Sequence, residues 1–203
     1  MRFFLPVLLI FTGLMTVLAQ NERPAVTDWK QIPLLDLPVL DNIALQSSQE
    51  ERQQAGKIPE FAKPQYVHIS PDKDGLWAEE NGIASWQIRI RSQGAFSLNL
   101  GFSKFRLPAG ASLWIYSSNQ QELLGPFTPA DNEIHDQLWT PVIAGDELAI
   151  VVKVPAERKK ELVLELSTVN HDFAGFTSLL SQACHLAVNC GAKDGWPEVE
   201  RFR

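Results

Sequence analysis

The side chains that could perform chemistry in this 203-residue chain are few, and they lie far apart in the sequence. The four histidines are His68, His135, His171 and His185. His68 lies in an alternating segment beside Tyr66, where a packed or surface histidine is the simplest interpretation. The sequence contains no HExxH zinc motif, paired CxxC, phosphate-binding loop or GxSxG nucleophile motif. We therefore predict no catalytic, cofactor-binding or metal-binding residue in the chain.

Two acidic turns could hold calcium through carboxylate oxygens. One lies within residues 129–138 and the other within residues 72–75. Their titratable side chains are Asp131, Glu133, His135 and Asp136 in the first turn, and Asp72 and Asp74 in the second. Neither turn has a recognisable ligand spacing, so solvated loops are the favoured interpretation.

The two cysteines, Cys184 and Cys190, are separated by five residues. No further ligands at zinc-site spacing accompany them. The two thiols could form a disulfide with each other if the chain loops back there, or they could remain free and mispair. From the residues alone, both alternatives stay open.

Aromatic side chains offer another kind of site, because flat rings can stack on sugar rings. Trp114 and Tyr116 alternate with Leu113 and Ile115, so one of these two faces must look outward or toward a partner. We predict Trp114 and Tyr116 as a candidate ligand platform. The alternative is that both rings belong to the core, as aromatic residues in strands usually do.

The elements that would position these residues are read from hydrophobic periodicity. An alternation of period two runs from Tyr66 to Asn170 and is typical of half-buried antiparallel strands. It is clearest in residues 83–91, 96–102, 113–116, 148–154 and 162–166, with turn signals between them. We predict an all-β fold, an antiparallel two-sheet sandwich that is jelly-roll-like. Helix–strand alternation is absent, which excludes a Rossmann or barrel enzyme.

The N-terminal part has a different pattern. Residues 1–19 form an apolar run with a small-residue end, which predicts a signal peptide rather than an uncleaved membrane anchor. Residues 20–65 are rich in proline and glutamine and predict a pro-segment or linker. One short helix is expected there, capped by Asp41 and ended by Gly56, with Ile43, Ala44 and Leu45 on its apolar side. A partner-binding helix is the alternative.

The net charge and the expected export of the chain both limit the classes of partner that it can have. The formal net charge is −6, with 18 Lys+Arg against 24 Asp+Glu. Such a chain has no general attraction to nucleic acid or to anionic lipid, so neither is an expected partner. A cleaved signal peptide predicts a secreted or periplasmic protein with no membrane association after cleavage.

Several phrases, in order along the chain, resemble the non-catalytic pro-region of secreted bacterial lysyl endopeptidases, which are trypsin-like serine proteases. These phrases are residues 86–90, 94–102, 107–116, 125–128, 138–146 and 169–176. Residues 184–190, 194–196 and 199–201 resemble the opening of the mature protease domain of the same family. The resemblance covers nearly all of the chain after residues 1–19 and is weakest in the linker.

The resemblance implies a domain division. Residues 66–176 would be the β-sandwich pro-region domain, and residues 177–203 would begin a protease domain truncated before its catalytic residues. The parent family cleaves after lysine, but we expect no peptidase activity from this chain. In that family the two opening cysteines bond to cysteines further along the protease, so the implied partners of Cys184 and Cys190 would be missing. No Lys or Arg occurs between Lys160 and Cys184, so self-cleavage after a basic residue is not supported.

Three hypotheses follow from these observations. In the first, the sandwich is a folding aid or steric guard, and its partner is the missing protease domain in cis. In the second, the chain is an independent exported sandwich that binds a carbohydrate or a protein. In the third, an unrecognised catalytic site lies in the sandwich.

Overall fold

The computed structural model describes residues 28–175. The predicted signal peptide, the start of the protease domain, and Cys184 and Cys190 all lie outside the described residues. The described part contains eleven strands, one α-helix and three short 3₁₀ helices. No helix in this part is both long enough and apolar enough to cross a bilayer.

The strands are β1 (Leu34–Asp36), β2 (Ala62–Ile69), β3 (Leu76–Glu80), β4 (Ile83–Arg91), β5 (Ser97–Arg106), β6 (Ser112–Ser117), β7 (Leu123–Phe127), β8 (Leu138–Trp139), β9 (Ile143–Ala144), β10 (Glu147–Pro155) and β11 (Val163–Asp172). The α-helix is α1 (Asn42–Gln54). The 3₁₀ helices are Trp29–Gln31, Pro129–Asp131 and Ala156–Glu161.

The strands form two sheets. Sheet A has the order β1-β4-β10-β6-β7, with β3 also paired to β4. Sheet B has the order β2-β11-β5-β8, with β9 also paired to β5. All pairs are antiparallel except β1 with β4, which are parallel. The predicted all-β, two-sheet fold is confirmed, with sheet A mixed rather than purely antiparallel.

One hydrophobic core is shared by the two sheets. Sheet A contributes Ala84, Trp86, Ile88, Ile90, Leu113, Ile115, Leu148, Ile150, Val152 and Val154. Sheet B contributes Ile69, Leu98, Leu100, Phe102, Phe105, Leu164, Leu166 and Val169. These are the apolar positions of the period-two alternation, and each large side chain buried here stabilises the fold by about 1.5–3 kcal/mol.

Residues 28–37 differ from the predicted linker because they belong to the sandwich. β3 pairs with residues 83–87 of β4 and leaves the far half of that edge, residues 89–91, for another strand. β1 occupies it in parallel, since an unpaired strand edge leaves backbone donors and acceptors unsatisfied. The Arg89 N–H donates to the Pro33 carbonyl at 2.8 Å, and Ile32 and Leu37 are buried beside β1. The sheet therefore includes a strand that the alternation pattern did not indicate.

Helix α1 begins and ends at the predicted residues. The Asp41 carboxylate accepts a hydrogen bond from the Ala44 N–H at 3.1 Å, as an N-cap should. Gly56, at φ 67°, follows the C-cap residue and takes the left-handed conformation common after helices. The expected apolar side is not buried, since no α1 residue is buried and Ile43 is 78% exposed. Two polar side chains of α1, Asn42 and Gln46, hydrogen-bond to the sandwich.

Candidate functional site

The predicted platform residues, Trp114 and Tyr116, lie on the outer face of sheet A but not in solvent. Their exposed fractions are only 4% and 6%. With Val151 they form a small cluster against which Trp29 and Leu123 pack. We call these five residues the covered face. The prediction of a ligand platform at Trp114 and Tyr116 is corrected here, because both rings are buried in a cluster against which Trp29 and Leu123 pack.

A network of charged and polar contacts fixes Trp29 in that position. The Trp29 indole Nε1–H donates to Glu147 Oε1 at 2.9 Å. The Arg89 guanidinium donates to the same oxygen at 3.0 Å and lies 5.9 Å from the centre of the Trp29 ring. Arg89 Nε also donates to the Ile32 carbonyl at 2.9 Å. The N-terminal segment is thus bound to sheet A through both its backbone and its tryptophan.

The outer face of sheet B contrasts with the covered face. One row of paired residues crosses four strands of this sheet: Tyr66 of β2, Thr168 of β11, Gly101 of β5 and Trp139 of β8. We call these four residues the open row. Tyr66 is 81% exposed and Trp139 is 57% exposed, so the two ends of the row carry accessible aromatic rings.

Gly101 determines how the Trp139 ring lies. A Cβ atom added at Gly101 would sit only 2.5 Å from the Trp139 ring carbon Cζ3. The indole therefore occupies the space that any other residue at position 101 would fill. One side of the ring packs on the backbone of β5, while more than half of the side chain stays in solvent. A flat ring held in this way can stack on a ligand.

A buried histidine connects four elements in the interior. His171 Nδ1 lies 2.7 Å from Ser92 Oγ, and His171 Nε2 lies 2.8 Å from Asn42 Oδ1. Gln65 Nε2–H donates to Ser92 Oγ at 2.7 Å, and Asn42 Nδ2–H donates to the Gly94 carbonyl at 2.8 Å. One placement of the protons satisfies this whole series of hydrogen bonds. Gln65 donates to the Ser92 hydroxyl, the Ser92 hydroxyl donates to His171 Nδ1, and His171 Nε2–H donates to Asn42 Oδ1. His171 is then neutral, with its proton on Nε2.

Ser92, His171 and Asn42 are of the residue types that serve in some enzymes as a nucleophile, its general base and a group that orients the base. This trio, however, is inside the protein, since both Ser92 and His171 are fully buried. The Ser92 hydroxyl also accepts a hydrogen bond from Gln65. Burial lowers the pKa of His171, while the charges of Asp172 and Asp146 act in the opposite direction. These buried hydrogen bonds therefore connect secondary-structure elements and do not form an accessible reactive site.

The elements that these hydrogen bonds connect include the exposed helix α1. Asn42 is the first residue of α1, and it contacts both His171 and Gly94. One turn later, Gln46 Nε2–H donates to the Phe173 carbonyl at 2.7 Å. The end of β11 is fixed in turn, since the Asp172 carboxylate accepts from Ser97 Oγ at 2.6 Å. These polar contacts hold a helix that has no buried side chain.

The two acidic turns are engaged within the protein. Asp136 Oδ1 accepts two hydrogen bonds from the Arg106 guanidinium, at 3.1 and 2.7 Å. Asp131 Oδ2 accepts from the Thr128 N–H at 2.6 Å, and Asp74 Oδ2 accepts from the Ser70 N–H at 2.9 Å. Across residues 28–175, no three histidine, cysteine or acidic side chains are grouped closely enough to hold a metal ion.

A comparison with known families gives one match. The model of the lysyl endopeptidase N-terminal domain matches residues 43–173, which is more than half of the chain. The matched range contains every strand from β2 to β11, the open row, and the Ser92–His171 pair. It leaves out β1, which is a strand of sheet A, and Trp29, which packs against the outer face of that sheet. No solved structure matches the chain.

Proposed function

Because this chain belongs to the lysyl endopeptidase N-terminal domain family, we propose that it is the non-catalytic N-terminal part of a secreted serine protease precursor. The observation that carries the proposal is the family match, which spans nearly the whole described sandwich. The resemblance of residues 184–201 to the opening of a mature protease domain supports it. The partner in this proposal is the protease domain in cis.

The proposed role is to assist folding of the protease domain. Two features of the sandwich support this role. Its core is built from its own residues, so it can be folded before a neighbouring domain is. The Ser92–His171 pair, which would be the obvious chemical group, is fully buried and bonded within the fold. A folded, chemically inert surface is what a folding aid or a steric guard requires.

Refolding of a protease domain tests the proposal. The catalytic domain of a lysyl endopeptidase is denatured and diluted into buffer with or without this full chain, and cleavage of a lysyl peptide amide is measured. We expect more recovered activity with the chain present. The matched control is Ile150→Asp, which places a charge in the core and should prevent folding of the chain. Equal recovery with the wild-type chain, the control and buffer would contradict a folding role.

A second experiment distinguishes a steric guard from a folding aid. The full chain is added to a protease domain that is already folded and active. Inhibition that rises with chain concentration would identify a guard, whereas unchanged activity together with improved refolding would identify a folding aid. No effect in either experiment would overturn both roles.

Export is part of the same proposal. It is supported by residues 1–19, whose apolar run and small-residue end are typical of a signal peptide. Mass analysis of the chain recovered from the medium or periplasm should show an N-terminus at Gln20. Recovery only from the cytoplasm, with Met1 retained, would contradict export.

A further inference from the structure

The open row has an exposed aromatic ring at each end, Tyr66 and Trp139, and two buried uncharged residues between them, Thr168 and Gly101. Tyr66 and Trp139 stand three strand steps apart, a span of about 14 Å at the usual strand spacing. Asn99 and Asn170 are paired across β5 and β11, two residues along from Gly101 and Thr168, and therefore lie on the same face. Both asparagines are half-buried, and Asn99 Nδ2–H donates to the Thr140 carbonyl at 3.5 Å, which leaves Asn99 Oδ1 as its acceptor for a ligand. This face thus offers flat apolar surfaces at both ends and half-buried amide groups beside the row.

Charge indicates the class of ligand that this face would accept. The charged pair nearest in the ladder, Lys104 and Glu165, is neutralised internally by a salt bridge of 2.8 Å. Between Tyr66 and Trp139 the outward positions of β11 and β5 are Thr168, Asn170, Asn99 and Gly101, none of which is ionisable. A phosphate, carboxylate or ammonium ligand would find no counter-charge among them. A neutral ligand with flat apolar faces and hydroxyl edges fits this composition.

We propose that the open row binds a neutral oligosaccharide, with one sugar ring stacked on Trp139 and another on Tyr66. Aromatic rings contact the apolar faces of the sugars, and the Asn99 and Asn170 amides hydrogen-bond to hydroxyl groups. The span between the two aromatic rings requires several linked sugars rather than one. Gly101 is the positioning residue, because its missing Cβ lets the indole lie flat. This binding function goes beyond the proposed role in a protease precursor.

Titration of the full chain with defined glycans tests the site. The probes are the β-1,4-linked hexasaccharides of glucose and of N-acetylglucosamine, and the α-1,4-linked hexasaccharide of glucose. Binding is followed by calorimetry and by tryptophan emission. We expect saturable heat and a blue shift with at least one probe, and much weaker binding of the corresponding monosaccharide. Absence of any saturable signal with all three hexasaccharides would overturn the proposal.

Variants locate the binding on the open row. Trp139→Ala and Tyr66→Ala should each weaken binding by about tenfold or more. Gly101→Val should also weaken it although both aromatic rings remain, because the new side chain displaces the indole. Phe96→Ala is the matched control, since Phe96 is 51% exposed and lies outside the row. Circular dichroism confirms that each variant is folded.

Two other occupants of this face would give different results. If the Tyr66 and Trp139 variants bind glycans as the wild type does but lose the refolding effect on a protease domain, the face docks that domain. If the wild type forms dimers that these variants do not, the face docks a second copy. Either result overturns the oligosaccharide proposal and leaves the family assignment unaffected.

Discussion

The outer faces of the two sheets carry similar aromatic residues and present them differently. On sheet A, Trp114 and Tyr116 are buried in a cluster against which Trp29 and Leu123 pack. On sheet B, Tyr66 and Trp139 remain largely in solvent. Both pairs lie on outward positions of strands, so the alternation within each strand does not distinguish them. The difference comes from Trp29 and Leu123, which pack against the outer face of sheet A, and Trp29 lies far from both rings in the sequence.

The contrast shows how a strand's outer face acquires its role. The covered face is part of the stable interior and has gained a largely buried ion pair, Arg89 with Glu147. The two aromatic ends of the open row, Tyr66 and Trp139, have no such cover and are exposed to solvent. Substitutions on the covered face should therefore lower the stability of the fold. Substitutions of the exposed rings of the open row should weaken ligand binding and change stability little.

The largest effect is expected from truncating a ring on the covered face. Trp114→Ala removes a fully packed indole and should lower the free energy of unfolding by about 3–5 kcal/mol. Trp139→Ala, its counterpart on the open row, should cost less than about 1 kcal/mol. Urea unfolding followed by circular dichroism measures both. Equal losses for the two variants would show that the faces do not differ as described.

The next effect concerns the ion pair that holds the cover. Glu147→Ala removes the acceptor shared by Trp29 and Arg89 and should lower the free energy of unfolding by about 2–3 kcal/mol. The matched control is Glu161→Ala, which breaks the exposed pair of Glu161 with Arg158. The control should change the unfolding midpoint much less. A control loss as large as that of Glu147→Ala would contradict a special role for the cover.

Because His171 is buried, it should make the free energy of unfolding depend on pH. Burial lowers the pKa of His171 below its ordinary value of 6.5, so the unfolded state binds more protons as the pH falls below about 6.5. The contribution of His171 to stability is complete above that pH. As the pH decreases from about 6.5 toward the pKa of His171 in the folded state, this contribution should fall by up to about 1.4 kcal/mol per pH unit.

Unfolding measured between about pH 7.5 and about pH 5.5 checks this slope. His171→Gln should flatten the profile, although it lowers stability at neutral pH. Ser47→Ala, which changes an exposed residue of α1 that does not titrate, is the control and should leave the profile as in the wild type. A profile that His171→Gln does not alter would contradict the pH effect assigned to burial.

The smallest effect is expected at the contact between α1 and the sandwich. Asn42→Ala removes the partner of His171 Nε2 and the donor to the Gly94 carbonyl. The free energy of unfolding should fall by about 1 kcal/mol, and amide exchange should become faster throughout α1. Ser47→Ala, at an exposed position of the same helix, is the control. Exchange in α1 that is equally slow in both variants would mean that other contacts hold the helix.

Local patterns predicted the parts of the fold that depend on local rules. The alternation of Trp86, Ile88 and Ile90 placed all three in the core, where the structure has them. The Asp41 cap and the Gly56 terminus of α1 followed from side-chain chemistry next to the helix. Each depends on residues a few positions apart, which a sequence pattern can report.

Contacts between distant segments were not predictable in the same way. The pairing of residues 34–36 with 89–91 fixes which sheet is covered, and nothing in the alternation of either segment specifies the partner. His171 lies 79 residues from Ser92 and 129 from Asn42, so no spacing rule links the three. The burial of Trp114 and Tyr116 was not predictable for the same reason, since Trp29, which packs against their cluster, is distant in the sequence.

The most direct test of a non-catalytic sandwich is a peptidase assay on the full chain alone. The chain is incubated with a lysyl peptide amide and a lysyl ester, together with the variants Ser92→Ala and His171→Gln. We expect hydrolysis at the rate of the buffer blank for all three proteins, because the Ser92–His171 pair is buried and joins α1 to the sandwich. Hydrolysis above the blank that Ser92→Ala abolishes in a folded protein would contradict this account.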